Sequence, residues 1–216
     1  MKNNVKFLLF IFYFISANAT AQDLPIDTFN SSDTNKPLIL YMTGDGGMNA
    51  FSKSFVKQWN KHGYPIVALN IKSYLWDAKS PDKAASDITG LLRRFMRNWK
   101  RQRIILVGYS LGADVLPFIQ TRLEDDVKNQ ASHVVLISPS ATTDFEVHLV
   151  YGSKGQSVPA EINKLTKPTI VIFGTSEKDV PDKSISNRNV TVIKVPGDHH
   201  YNNDLAYLVQ QISSRL

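Results

Sequence analysis

The chain has 216 residues, of which 43% are hydrophobic, and its 25 Lys and Arg against 19 Asp and Glu give a formal charge of +6. This length and this hydrophobic content suffice for one globular domain with a buried core. Because cysteine is absent, the sequence excludes disulfides, thiol chemistry and a lipoprotein anchor.

Residues 1–21 have the features of a secretory signal peptide. Two lysines flank an apolar run that ends at Ile15, and small residues with two overlapping A-x-A sites follow it. The run is too short for a comfortable bilayer span, so we expect cleavage near Gln22 and a soluble, periplasmic domain over residues 22–216. Removal of both lysines lowers the charge from +6 to +4. Outside the cytoplasm such a basic excess suits anionic lipid or polymer better than nucleic acid.

Strand and helix signals alternate from Leu38 to the end of the chain. Strands are predicted at residues 38–42, 65–69, 103–109, 133–137, 169–174 and 190–195. Helices are predicted at residues 51–62, 81–99 and 205–212, and a further helix that contains Pro117 starts after Ser110. This alternation with short connections predicts a mostly parallel sheet with helices on both faces. Only a short edge strand fits before Leu38, and residues 138–166 are irregular and could form a small lid.

Gly108, Ser110 and Gly112 form a G-x-S-x-G pattern between a predicted strand and a predicted helix. A serine at such a sharp bend has a strained backbone, so the residues two positions away must lack side chains. The pattern is typical of the nucleophile elbow of an α/β-hydrolase. We therefore predict a minimal α/β-hydrolase fold and a serine hydrolase with Ser110 as nucleophile.

A serine hydroxyl becomes a good nucleophile when a base takes its proton and an acid orients that base. His199, in the loop before the last helix, is the expected base, and His200 is expected to pack beside it or to assist in binding substrate. Glu177 and Asp179 follow the strand that ends at Gly174. Glu177 has a common position for the acid, but the shorter side chain of Asp179 fixes an imidazole more tightly, so Asp179 is slightly preferred.

The oxyanion hole requires two backbone donors. We expect one donor to be the N–H of Leu111 and the other to be the N–H of Asp45 or Gly46, in the glycine-rich turn after the first strong strand. A carboxylate at Asp45 would repel the developing negative charge unless the substrate brings a cation. Asp45 is therefore expected to help bind an amine.

The adjacent residues His199 and His200, with Asp198 and Asp204 nearby, resemble a set of metal ligands. Neighbouring histidines on one turn rarely converge on a single ion. We therefore expect no metal and no other cofactor.

A basic run of six Lys and Arg residues between Arg93 and Arg103 contains Phe95 and Trp99. It fits a solvated helix face, with cations favoured near the helix C-terminus. The alternative is a patch that docks on anionic lipid headgroups beside an acidic pocket. Export of the protein argues against nucleic acid as its partner.

Four segments resemble the bacterial virulence protein family VirJ/AcvB. They are TGDGG at 43–47, GYSLGADVLPF at 108–118, DFEVH at 144–148 and PGDHHY at 196–201. The resemblance extends from about Leu38 to the C-terminus. It implies a periplasmic α/β-hydrolase. Some members of the family are similar to enzymes that hydrolyse aminoacylated phosphatidylglycerol, and others are discussed as accessory factors of type IV secretion.

The resemblance also implies ester cleavage with Ser110 as nucleophile, His199 as base and an acid from residues 177–179. The family often has a cysteine after the acid, where this sequence has Val180-Pro181.

Residues 144–148 are a further mark of the family. As acids of the candidate lid, Asp144 and Glu146 would contact a cationic aminoacyl group, with His148 beside them. Structural packing of the same segment is the alternative.

We therefore expect a periplasmic serine esterase that hydrolyses the aminoacyl ester of an aminoacylated phospholipid, such as lysyl-phosphatidylglycerol, through an acyl-serine intermediate. Peripheral contact with an anionic membrane surface and with secretion-system proteins is compatible with this expectation. The alternatives are a non-catalytic secretion accessory protein on a hydrolase scaffold and a generic hydrolase of short-chain esters or peptides.

Overall fold

The computed structural model describes residues 24–147 and 155–216, so the predicted signal peptide and His148 lie outside the described residues. The strands are β1 (Ile26–Phe29), β2 (Leu38–Met42), β3 (Ile66–Leu69), β4 (Ile104–Tyr109), β5 (Ala131–Ile137), β6 (Thr142–Thr143), β7 (Gln156–Ser157), β8 (Thr169–Gly174) and β9 (Val190–Val195). The helices are α1 (Ala50–Lys61), α2 (Ile71–Tyr74), α3 (Pro81–Asn98), α4 (Leu111–Arg122), α5 (Asp125–Gln130), α6 (Val158–Ile162) and α7 (Leu205–Ser213). Short 3-10 turns lie at Asp182–Ser184 and Tyr201–Asn203.

Seven strands form one sheet in the order β1-β3-β2-β4-β5-β8-β9. The edge strand β1 is antiparallel to β3, and every other neighbouring pair is parallel. This arrangement confirms the predicted mostly parallel sheet with one short strand ahead of Leu38. The region predicted to be irregular contains the small antiparallel pair β6–β7 and α6.

Both faces of the sheet are covered, which explains why its inner strands are apolar without interruption. In β2, Ile39 and Tyr41 pack in a buried cluster with residues of α1 and α7. Leu38, Leu40 and Met42 point to the opposite face and pack with residues of α3, α4 and α6.

The parallel strands carry the site, because their carboxyl ends meet along one edge of the sheet. The segments that follow these ends contain most of the residues with predicted chemical roles: the turn at 43–47 after β2, Ser110 after β4, Glu177 after β8 and His199 after β9.

The basic run lies elsewhere. Arg101 and Arg103 precede the first residue of β4, which places them at the opposite edge of the sheet from Ser110. Arg101 is buried and donates hydrogen bonds to the carbonyl oxygens of Ser31, at 2.6 Å, and Asp33. The guanidinium therefore fixes the segment that leads into β2 and is not available to a lipid.

Other members of the run are also engaged. Arg93 pairs with Glu124 and Asp126, each at 2.6 Å, while Phe95 and Trp99 pack against the core. The run thus lies away from the candidate site, and docking of its exposed members on anionic lipid stays a prediction. None of the helices within 24–147 and 155–216 combines the length and apolar composition that a bilayer crossing requires.

Replacing Arg101 with Met is expected to lower the free energy of unfolding by about 2–4 kcal/mol, because carbonyl groups bonded to a buried cation lose their donor. Urea denaturation measures the change. The exposed Arg97→Met is the matched control, with an expected change within about 0.5 kcal/mol. Equal, small effects in both variants would contradict the structural role of Arg101.

Candidate active site

Ser110 is held in a strained backbone conformation between β4 and α4, with φ of 51° and ψ of −121°. Its N–H donates to the carbonyl of Ile137 at 2.9 Å, which anchors the bend to the neighbouring strand. A Cβ on Gly108 would lie 2.5 Å from the carbonyl oxygen of Gly112, and one on Gly112 would collide with the backbone of Met42. The two glycines are therefore required by close packing around the bend.

Three side chains form a connected row at this point. The Oγ of Ser110 lies 3.1 Å from Nε2 of His199, and Nδ1 of His199 lies 2.7 Å from Oε1 of Glu177. The order nucleophile, imidazole and carboxylate is that of a catalytic triad. The preference for Asp179 over Glu177 as the partner of the imidazole is wrong.

The loop geometry explains why Glu177 has this position. Its N–H donates to the carbonyl of Gly174 at 3.2 Å, so the chain turns back immediately after β8. Its Oε2 accepts the N–H of Gly174 at 2.5 Å, which locks the longer side chain against the strand end. Asp179 comes after this turn, at φ of 56°, and its side chain is exposed.

Ser138 and Tyr201 extend the row and were not identified from the sequence. Ser138 Oγ donates to Oε2 of Glu177 at 2.9 Å and lies 2.6 Å from the hydroxyl of buried Tyr201. Ser138, like Ser110, follows a central strand at positive φ. The signal in the sequence was a polar residue directly after the apolar run of β5.

Opposing effects set the ionisation of the carboxylate and the imidazole. Burial acts to raise the pKa of Glu177, but hydrogen bonds from His199, the Gly174 N–H and Ser138 outweigh it and leave that pKa below its usual range. The hydrogen bond to Glu177 raises the pKa of His199, against the lowering effect of burial. Glu177 thus stays ionised and stabilises a protonated imidazole.

Backbone donors adjoin the nucleophile, as an oxyanion hole requires. Leu111 is the first residue of α4, so its N–H has no acceptor within the helix. The turn at 43–47 is closed by a 3.0 Å bond from the Gly47 N–H to the Gly44 carbonyl. It comes so close that a Cβ on Gly44 would lie 3.2 Å from Ser110 Cβ. Both predicted sources of donors, Leu111 and the turn with Asp45 and Gly46, therefore lie at Ser110.

A cleft of about 200 Å³ opens beside Ser110. Its lining is acidic, because within the described residues it contains four carboxylates and no Lys or Arg. The lining residues are Asp45, Ser110, Leu111, Asp114, Ser140, Thr142, Thr143, Asp144, Glu146 and Val147. The predicted substrate-binding residues Asp45, Asp144 and Glu146 are thus brought together. Asp144 also lies against the backbone of Gly155, so it contributes to packing too.

Asp114 is the acidic residue of the cleft that sequence reasoning missed. It is only 5% exposed, and its Oδ1 accepts the N–H of Ser140 at 2.5 Å. Burial raises the pKa of Asp114 to about 7, although the bonds from Ser140 oppose the shift. The signal for it was an acid in the first turn of the helix that follows the elbow serine.

His200 does not belong to the cleft. It is exposed, its ring lies 5.8 Å from that of Phe51 on α1, and its N–H donates to Asp198. Packing of His200 beside His199, with ring centroids 5.7 Å apart, is observed, and its role in substrate binding stays a prediction. Within residues 24–147 and 155–216 no three His, Asp or Glu side chains are grouped to hold a metal ion.

Replacing Glu177 with Gln is expected to lower the pKa of His199, because the charge and the hydrogen bond that raise it are lost while burial remains. The base must be neutral to act, so acylation of the wild type by 4-nitrophenyl acetate should rise with pH through the raised pKa. The variant should acylate more slowly by a factor on the order of 10⁴.

NMR titration of the imidazole and stopped-flow release of 4-nitrophenol measure the two effects. Asp179→Asn is the matched control and should leave both close to wild type. The reverse pattern, with Asp179→Asn lowering the pKa and the rate, would restore Asp179 as the triad acid.

The fold is shared with structurally characterised hydrolases. Est1E from Butyrivibrio proteoclasticus, solved with ferulic acid bound, superposes with a TM-score of 0.64 at 14% identity, covering 88% of this chain and 93% of that one. An esterase from Pyrococcus furiosus gives 0.59 at 16% identity over 89% and 90% of the two chains. The N-formylmaleamic acid deformylase of Pseudomonas putida gives 0.64 at 12% identity over 87% and 94%.

No protein of curated function matches the sequence. The family model described as bacterial virulence protein (VirJ) matches residues 36–216, which include every residue of the row and the cleft described above. The chain therefore belongs to the VirJ family of bacterial virulence proteins and has the α/β-hydrolase fold.

Proposed function

We propose that the protein is a serine esterase whose nucleophile is Ser110. The observation that carries the proposal is the continuous row from Ser110 Oγ through His199 to Glu177, with contacts of 3.1 and 2.7 Å. The strained backbone at Ser110 supports it, because such strain is typical of residues whose position serves chemistry.

In the first half of the reaction, His199 Nε2 takes the hydroxyl proton as Ser110 Oγ attacks the ester carbonyl carbon. The N–H of Leu111 and a donor of the 43–47 turn face the oxyanion that forms. The tetrahedral intermediate then collapses, its C–O bond to the alcohol breaks, and His199 returns the proton to the leaving alcohol.

In the second half, water attacks the acyl-serine ester while His199 Nε2 accepts its proton. Collapse of the second intermediate breaks the bond to Ser110 Oγ and releases the acid, and the serine recovers its proton from His199. Glu177 remains ionised throughout and orients the imidazole, consistent with its lowered pKa.

We propose further that the ester is the aminoacyl ester of an aminoacylated phosphatidylglycerol, so that the products are a free amino acid and phosphatidylglycerol. The acidic lining of the cleft supports a cationic acyl group, because its four carboxylates, with no Lys or Arg among the described lining residues, attract ammonium. The predicted signal peptide supports action in the periplasm, at the surface of an anionic membrane. The similarity of fold to Est1E and the other solved esterases supports the hydrolase scaffold on which this proposal depends.

Lipid digestion tests the substrate. Vesicles that contain lysyl-phosphatidylglycerol, incubated with the protein, are expected to lose that lipid and gain phosphatidylglycerol and lysine, as read by mass spectrometry. Ser110→Ala should reduce the rate at least about 10³-fold. Persistence of the aminoacyl lipid with both proteins, alongside cleavage of simple soluble esters by the wild type alone, would replace this substrate by a generic carboxylic ester.

Labelling with a fluorophosphonate separates an enzyme from a non-catalytic accessory protein of secretion, the alternative that the family's virulence description favours. An intact triad should form a covalent adduct at Ser110 that is lost in Ser110→Ala and strongly slowed in His199→Gln. If the wild type and both variants remain equally unlabelled, the scaffold serves binding alone.

A further inference from the structure

Asp114 is a buried carboxylate, 5% exposed, with no Lys or Arg partner among the described residues, and the charge of His199 acts to lower its pKa. Glu161, another buried acid, has the usual cationic partners, because Arg122 and Lys164 pair with it at 2.8 and 2.6 Å. A buried charge of this kind is costly unless it is paired, so Asp114 lacks a partner that Glu161 has.

Asp114 also has a defined position relative to the nucleophile. It lies in the first turn of α4, and its N–H donates to the carbonyl of Ser110, the residue that precedes the helix, at 3.0 Å. Both residues line the same cleft. A group bound to Asp114 therefore shares the cleft with an acyl group on Ser110.

A second, independent observation concerns another residue that lines the same cleft. Thr143 on β6 is 3% exposed, and its Oγ1 has no hydrogen-bond partner among the described residues. Buried polar atoms without partners are rare, and one in a substrate cleft points to a ligand that completes it. A hydroxyl oxygen and a carboxylate both accept hydrogen bonds, so together they suit a cationic donor.

We propose that Asp114 and Thr143 form the subsite for the α-ammonium group of the acyl chain, so that the protein selects α-aminoacyl esters over neutral esters. The α-nitrogen is two bonds from the carbonyl carbon, so an acyl group on Ser110 holds it in the cleft that Asp114 and Thr143 line. The ammonium donates to the Asp114 carboxylate and to Thr143 Oγ1. This inference rests on the proposed esterase function and adds the residues that set its specificity.

The test compares two soluble esters that differ only in the ammonium group. Benzyl alaninate carries it, and benzyl 2-methylpropanoate has a methyl group in its place. Release of benzyl alcohol gives kcat/KM for each, and their ratio is the ammonium preference. Asp114→Asn should lower that ratio about 10- to 100-fold, the range expected for loss of a hydrogen bond to a charged group.

Several features keep the test specific. Asn can still accept the Ser140 N–H, so the fold around residue 114 is retained, which thermal unfolding checks. Asp126→Asn, an acid at the surface paired with Arg93, is the matched control and should keep the wild-type ratio. Thr143→Val should lower the ratio by a smaller factor, and Thr143→Ser should restore it.

The outcomes separate the inference from the proposed function. A wild-type preference for the alaninate that survives in both Asp114→Asn and Thr143→Val overturns the subsite and leaves the aminoacyl esterase intact. A variant that slows both esters equally assigns Asp114 to holding Ser140, which also overturns it. A wild type that cleaves both esters equally well, or neither, overturns the subsite together with the aminoacyl substrate.

Discussion

The strained bend at Ser110 is the constraint on which the site depends. A positive φ at a non-glycine residue costs on the order of 1–3 kcal/mol and persists only where its surroundings enforce it. Here the enforcement comes from the hydrogen bond to Ile137 and from Gly108 and Gly112, which let β4, α4 and β2 approach without a Cβ between them. The parallel sheet therefore presents the hydroxyl toward the imidazole of His199.

Two carboxylates beside this bend, the partly buried Glu177 and the buried Asp114, illustrate how surroundings assign different roles to one functional group. Glu177 accepts hydrogen bonds from three donors, and its pKa lies below its usual range. Asp114 has Ser140 as its donor, and burial raises its pKa to about 7. The first is suited to remain charged and orient a base, whereas burial favours the neutral form of the second unless a cation binds beside it.

Charge is distributed unevenly over the molecule. The chain is basic as a whole, yet the cleft at the carboxyl edge of the sheet is lined by carboxylates. The buried Arg101 near the opposite edge serves to fix the segment before β2. The overall charge thus describes the surface that faces solvent and says little about the group that the cleft accepts.

The sequence by itself determined the elements of the sheet, the elbow at Ser110 and His199 as its partner. Apolar runs, glycine spacing and chain order depend on local geometry, so they can be read without the fold. Only the tertiary structure decided between Glu177 and Asp179, packed His200 against Phe51 and His199, and brought Asp114 and Ser138 to the site. These assignments depend on how separate loops meet at one edge of the sheet, and a turn of a few residues redirects a side chain without changing the sequence pattern.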